Sequence, residues 1–316
     1  MKAFVITDNT GMFEEFYKIV SSIPFLEIDY FCSPSSYEMF APYIKKNVVS
    51  PIKIKENISK LINGYDIGFS CHCKQIFPRE IVENIKCVNI HPGFNPYNRG
   101  FYPQVFSIIN KLPIGATIHR MDEKIDSGLI IDQEEVKIEA YDTSLSLYEK
   151  IIKKEIILLK RNIISILTDE EIATIPSFDG NYNSKEDFRN LCQVNLYKKM
   201  RIGEIIDYLR ALTHSPYNNA YFLDKDGNKI YISIILSKFD DNIILKNDFA
   251  NFCELDISKE VEMKEAIDYF NSLSNSSCGA FFLDDCNNKI YVSIKLHKEK
   301  ENLQKRDNYH IILPKM

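Results

Sequence analysis

The stretch AFVITDNTGMFEEFYKIV, residues 3–20, decides the fold. Ala3 to Thr7 is a short apolar run that ends in Asp8-Asn9-Thr10, after which Phe13, Phe16, Tyr17 and Val20 recur at helical spacing. This reads as a strand, a loop and a helix. The unit recurs downstream: a strand at Leu26 to Cys32, helices around Ser36 to Ile44 and Lys55 to Ile62, and strands at Asp66 to Ser70 and Cys87 to His91. Strands alternating with helices imply an α/β protein with a Rossmann-like, mostly parallel, doubly wound sheet. Ligands in such sheets sit beyond the carboxyl ends of the strands, so the loops there are where chemistry is sought.

Beyond this core, ATIHRM (116–121) and Leu129 to Ile138 read as further strands, and Ser144 to Leu167 as a long amphipathic helix. Residues 168–189 are polar and turn-rich, a connector expected to cross the surface and complete a catalytic domain of residues 1–200. Residues 201–316 form a smaller α+β domain. It holds an internal repeat: AYFLDKDGNKIYISIIL (220–236) and AFFLDDCNNKIYVSIKL (280–296) share 11 of 17 positions at an offset of 60. Each copy is two strand-like runs around a turn, Asp226-Gly227 or Asn287-Asn288, and each follows a helix-like IDY segment, Ile206 to Tyr208 or Ile267 to Tyr269. The units span about 204–240 and 265–300. Duplicated β-hairpins, stacked or joined in one sheet, are expected to serve structure rather than ligand binding.

A chain of 316 residues exceeds what one core usually absorbs, which agrees with two domains. Hydrophobic residues at 45% and charged residues at 26% describe a globular protein rather than a disordered one. The net charge of −5 offers no general attraction for nucleic acid or an anionic membrane, so neither is an expected partner. No apolar run reaches the length of a membrane span and the first residues lack a cleavable leader pattern, so the expected location is cytoplasmic. The eight cysteines are scattered and read as reduced thiols. Cys71-His72-Cys73 lacks the spacing of a zinc knuckle, and no metal is expected.

The chemically informative stretch is VNIHPGFNPYNRG, residues 88–100. Asn89 and His91 lie two apart at the end of a strand, so both side chains point to one side. An imidazole and a carboxamide there supply a proton acceptor and a hydrogen-bond donor for a developing oxyanion, although capping the strand is an equal reading of the spacing alone. A carboxylate that holds or relays for the histidine is available at Asp126, in IHRMDEKIDSG (118–128); taken alone, Asp-Ser-Gly is ordinary turn chemistry.

Asn89-Ile90-His91-Pro92 and Asp126-Ser127-Gly128 resemble the Asn-x-His-Pro and Asp-x-Gly motifs of the formyltransferase family that uses N10-formyltetrahydrofolate. The resemblance covers about residues 1–240. It implies a catalytic centre of Asn89, His91 and Asp126. The stretches HPGFNPYNRGFYPQVFSI, GNYNSKEDF (180–188) and LRALTHSPYNNAYF (209–222) further resemble N-formyltransferases of nucleotide-linked sugars, most of all those acting on dTDP-4-amino-4,6-dideoxyglucose for O-antigen or another surface polysaccharide. On this resemblance N10-formyltetrahydrofolate is the formyl donor, consumed as a co-substrate. It would lie against Lys74, Gln75, Ile76, Phe77 and Asp122. The dTDP-linked amino sugar would meet Asp8, Asn9, Arg99, Gly100, Phe101, Tyr102, Tyr182, Tyr217 and Asn219. A homodimer is compatible with all of this. Methionyl-tRNA formyltransferase shares the motifs, but residues 201–316 carry 15 Lys plus Arg against 18 Asp plus Glu, the wrong sign for a tRNA platform. A formyltetrahydrofolate deformylase would use the same triad with water as the nucleophile. A non-catalytic dinucleotide-binding module is disfavoured because no G-x-G-x-x-G follows the first strand.

Overall fold

A computed structural model describes residues 1–238, 251–274 and 278–298. The end of each sequence repeat (239–240 and 299–300), residues 275–277 within the second, and the tail to 316 lie outside the described residues. In the first half of the chain β1 (Lys2–Thr7), α1 (Thr10–Val20), β2 (Glu27–Cys32), α2 (Tyr37–Ile44), β3 (Val49–Pro51), α3 (Ile58–Gly64), β4 (Ile67–Cys71), α4 (Arg79–Asn84) and β5 (Lys86–His91) alternate, with β3 and α4 added to the elements read from the sequence. They are followed by the two-residue β6 (Arg99–Gly100), α5 (Pro103–Asn110), β7 (Gly115–Arg120), β8 (Ile130–Glu135) and the long α6 (Ser144–Leu167).

The seven-stranded sheet runs β3-β2-β1-β4-β5-β7-β8. β1 to β5 pair in parallel, and β7 and β8 are antiparallel additions at one edge. The chain leaves β1 towards β2 and β3, then returns to place β4 on the other side of β1. That reversal is a topological switch point, where loops diverge and leave a crevice. Successive residues of β1 serve opposite faces: Ala3 and Val5 join the larger core under α1 and α6, while Phe4 and Ile6 join a second core with Leu61, Phe77 and Ile81. A sheet covered on both faces explains why its strands read as unbroken apolar runs.

α6 begins with a capping box between Thr143 and Ser146, then buries Leu147, Ile151, Leu158 and Leu159. After it the chain does more than cross the surface. Thr174 bridges to Ile130, and β9 (Tyr182–Asn183) pairs with β6. The Asn181 and Asn183 amides both donate to Asn98 Oδ1, at 2.7 and 3.2 Å. The connector thus braces the loop that follows β5.

The remaining elements are α7 (Lys185–Cys192), β10 (Lys199–Arg201), α8 (Ile202–Leu212), β11 (Thr213–His214), β12 (Tyr217–Asn218), β13 (Tyr221–Leu223), β14 (Lys229–Lys238), β15 (Asn251–Glu254), β16 (Glu260–Glu262), α9 (Met263–Ser274), β17 (Cys278–Leu283) and β18 (Lys289–Lys298). The two hairpins are joined in one sheet, ordered β13-β14-β18-β17-β15. Their turns are alike: Asp224 and Asp284 each receive the side-chain amide of the Asn four residues on, and Gly227 and Asn287 supply the left-handed residue, φ 80° and 60°. Among the described residues no helix is long and apolar enough to cross a membrane.

Candidate active site

β5 delivers Asn89 and His91 to the carboxyl edge of the sheet, and the loop between β7 and β8 brings Asp126 to them. The Asp126 side chain is 9% exposed. Its backbone is left-handed, φ 53°, a conformation Asp tolerates better than most residues. The loop is drawn tightly back on β7, since a Cβ on Gly128 would lie 1.8 Å from the Arg120 carbonyl oxygen. Donors from two pieces of chain then point at the carboxylate. Asn89 Nδ2 donates to Oδ1 at 3.0 Å, the Gly100 backbone N–H donates to Oδ2 at 3.0 Å, and His91 Nδ1 faces Oδ2 at 3.6 Å. Asn95 Nδ2 fastens the Asp126 backbone carbonyl at 3.0 Å.

A second imidazole completes the cluster. His119 sits opposite Asn89 in the β5–β7 register. Its Nδ1 donates to the Arg120 carbonyl at 2.9 Å, leaving Nε2 3.2 Å from Asn89 Nδ2 and 3.4 Å from Asp126 Oδ1. Both amide protons of Asn89 are thereby engaged, and the reversed carboxamide would turn oxygen towards a carboxylate. Burial pushes the Asp126 carboxyl up, but His91, His119 and the Gly100 N–H outweigh it and hold it below the usual carboxylate range. Burial also dominates at His91 and, against the pull of Asp126, lowers the imidazole to about 4. At neutrality the pair is a carboxylate beside a neutral imidazole. Nδ1–H faces the carboxylate, and Nε2 is buried without a partner. Gly93 keeps that nitrogen clear, because a Cβ there would lie 2.3 Å from it.

The other residues singled out from the sequence fall into three places. Asp8, Asn9, Lys74 and Gln75 meet at the switch point between β1 and β4. Asp8 accepts from Ser33 N and Oγ and from Lys74 N, while Gln75 bonds Ser33, Ile52 and Ile54. Asn9 caps α1 through Met12 N and donates to Tyr148. Ile76 stands 59% exposed, whereas Phe77 is 5% exposed and stacks on Phe4 in the second core, so Ile76 alone of the two offers an apolar surface. Asp122 lies at the surface and ties its own loop through Lys124 N and Ser127 Oγ.

Arg99 reaches across to the Ile125 carbonyl beside the cluster, and its buried Nε has no partner. Gly100 has φ 93°, and a Cβ would strike the Asn183 carbonyl and the Tyr182 ring at 2.5 Å. Lys185 lies over the Phe101 ring at 4.7 Å. Tyr102 stacks on Phe188 at 4.0 Å and, with Tyr217, Asn219 and His214, lines a small cavity apart from the Asp126 cluster.

His119, Asn95 and a buried set at the end of β4 have no counterpart among the residues chosen from the sequence. In that set His72 contacts both Glu155 carboxylate oxygens at 2.8 and 2.9 Å, and its Nδ1 meets Tyr148 Oη at 2.7 Å. His119 stands in the same short segment as Asp126, but only the β5–β7 register reveals its place. A larger groove near Lys2, Asp29 and Tyr65 lies at the opposite strand ends and touches none of these groups.

A neutral imidazole, oriented by a pinned carboxylate at the carboxyl edge of a Rossmann-like sheet, is an arrangement that can take a proton from an attacking nucleophile. The chain belongs to the formyl transferase family: the profile described as "Formyl transferase" matches residues 4–163, and "N-formyltransferase dimerization C-terminal domain" matches 187–238 and 248–298. The chain is similar to a dTDP-4-amino-4,6-dideoxyglucose formyltransferase of Mycobacterium tuberculosis, 40% identical over 183 residues, 58% of this chain and 78% of that one. It is also similar to the crystal structure of a 4-N formyltransferase from Francisella tularensis, 50% identical with TM-score 0.74 over 75% of this chain and 98% of the other. A sugar N-formyltransferase from a Shewanella species is 39% identical, with TM-score 0.71 over 74% and 96%.

Two outcomes follow from the geometry. Gly93→Ala displaces His91 Nε2 and is expected to lower turnover about tenfold or more with the fold retained, checked by activity beside circular dichroism. An unchanged rate would detach that nitrogen from the reaction. His91, and likewise His214, which burial also lowers to about 4, take up protons near 6.5 when unfolded and only near 4 when folded. The unfolded chain therefore binds more protons across that window, and stability is complete above about 6.5 and falls as pH drops towards 4. Urea unfolding across this range is expected to show a shallower fall for His91→Asn than for the wild type; an identical slope contradicts the assignment.

Proposed function

We propose that this enzyme transfers a formyl group from N10-formyltetrahydrofolate to the amino group of a dTDP-linked amino-dideoxy sugar, with dTDP-4-amino-4,6-dideoxyglucose as the leading acceptor. The observation that carries the chemistry is the partnerless, buried Nε2 of His91 backed by Asp126. The acceptor rests on the relatives that act on this sugar type and on the acidic balance of residues 201–316, which suits no tRNA.

The residues present fit a formyl donor, since a buried imidazole nitrogen without a partner lies beside the bare Cα of Gly93. Ile76, Lys74 and the Asp122 loop would hold the folate. When bound, that co-substrate supplies an electrophilic carbonyl carbon on a nitrogen leaving group. His91 Nε2 accepts the proton that the sugar amine must lose as its nitrogen bonds to that carbon, and later returns it to the departing nitrogen. Asp126 keeps Nδ1 protonated and stabilises the imidazolium in between. Asn89 releases its longer bond to His119 and donates to the oxygen on which negative charge develops, an interaction stronger in the transition state than before it. Arg99, with its partnerless Nε, and Lys74, whose charge burial disfavours, are the cations that would meet an anionic substrate group. Tyr182, Tyr217 and Asn219 offer aromatic faces and an amide for a base.

The test is a turnover screen of dTDP-linked 3-amino and 4-amino sugars with N10-formyltetrahydrofolate, read as the mass gain of one formyl group. Transfer to the 4-amino sugar is expected; formate release that needs no amine would instead define a deformylase. Asn89→Ala, His91→Asn and Asp126→Ala are each expected to lower turnover roughly a hundredfold or more. Wild-type turnover in a folded variant removes that residue from the mechanism.

A further inference from the structure

Residues 187–238 and 248–298 match one and the same dimerization profile, and the two copies meet about an internal two-fold axis. In the hairpins, equivalent residues lie 60 apart in sequence. β14 pairs antiparallel with β18 so that Ile234 faces its own equivalent, Ile294, while Ile230 faces Lys298 and Lys238 faces Ile290. Each contact made by one copy is returned by the other. Upstream the offset is 61, and the symmetry continues: Met200 faces Val261, with Lys199 opposite Glu262 and Arg201 opposite Glu260.

The backbone bonds are reciprocal as well. Ile202 N donates to Lys259 O and Met263 N to Lys198 O, both at 2.9 Å; Gly203 N donates to Ile257 O at 2.9 Å and Lys264 N to Leu196 O at 2.8 Å. A set of contacts in which i meets j and j′ meets i′ is what an isologous interface between two identical subunits produces. Here it lies within one chain.

The copies differ in how they meet the catalytic half. α8 ends in buried Arg210, Ala211 and Leu212, and Arg210 Nη1 donates to the Glu139 and Asp142 carbonyls at 3.0 and 2.8 Å. The equivalent end of α9 is Asn271-Ser272-Leu273, with Ser272 exposed. The first copy is anchored to the catalytic domain through Arg210, and at the corresponding place the second carries Asn271. The solved Francisella relative is covered over 98% of its length by 75% of this chain, so this chain exceeds it by about one copy and its tail.

We propose that residues 248–298 replace the partner subunit: the chain carries both halves of its dimerization domain in cis and is a monomer with one catalytic domain. The ten-residue β14, which would otherwise be an open edge, is paired along its length, and Ile232, Ile234, Val292 and Ile294 are buried at the junction. The reading rests on the family match and is independent of which sugar is formylated.

Light scattering of the full chain at increasing concentration, coupled to size exclusion, is expected to give one species near the 36.8 kDa of a single chain. A mixture of 14N-labelled and 15N-labelled full chains, treated with a short amine cross-linker, then tests the pairing itself. Lys229 and Lys298 lie at the same end of the β14–β18 ladder, beside the Ile230–Lys298 pair. Their cross-linked peptides are expected to carry a single isotope. A species of twice the mass, or mixed-isotope Lys229–Lys298 links, overturns the proposal.

Discussion

A carboxylate removed from water stays ionised only where donors converge on it, and the arrangement around Asp126 depends on that requirement. Two separate pieces of chain meet it with donors, the Asn89 amide and the His91 Nδ1–H from β5 and the Gly100 N–H from β6, while His119 on β7 accepts the second Asn89 amide proton and so fixes the first on the carboxylate. Asn98 gathers the connector amides that hold the Gly100 loop, and the Thr117 hydroxyl links the Gly93 carbonyl to the Asn95 N–H beneath it. The carboxylate fixes the imidazole, and the loops fix the carboxylate.

The sheet makes this affordable. Five parallel strands end at one edge, so backbone polar groups that the strands no longer pair become loop donors around a common crevice. The stable part lies below: two cores on opposite faces, with α6 running the length of the larger one. α6 also places Glu155, wholly buried, against His72, a carboxyl group retained deep in the protein because a partner meets both of its oxygens. Rigidity below and polar convergence above are the conditions under which a proton acceptor can be aimed before the substrate arrives.

Much of this was legible in the residues. Period-two geometry already placed Asn89 and His91 on one side of a strand, and the alternation of strands with helices announced a doubly wound sheet. Self-similarity exposed the duplicated hairpins, since turns built on Asp and Asn repeat their letters with their geometry. What could not be read depended on pairing. His119 enters the site through the register of β7 on β5, which no local pattern encodes. Phe77, two residues past Gln75 in the same loop, turns into the second core because Phe4 leaves a face for it. The connector looked like a surface crossing, yet its asparagines hold the loop that follows β5. The two-fold relation between the repeats is likewise a fact of strand register, invisible in their similarity.

The central claim is that burial holds His91 neutral while Asp126 fixes its proton on Nδ1 and leaves Nε2 bare. Nitrogen-15 chemical shifts of selectively labelled histidine, assigned by comparison with His91→Asn, read that tautomer directly in the resting enzyme at pH 7. The account predicts a protonated Nδ1 and an unprotonated Nε2 for His91, with the tautomer preference lost in Asp126→Asn. A protonated Nε2 or a doubly protonated ring in the wild type would contradict it.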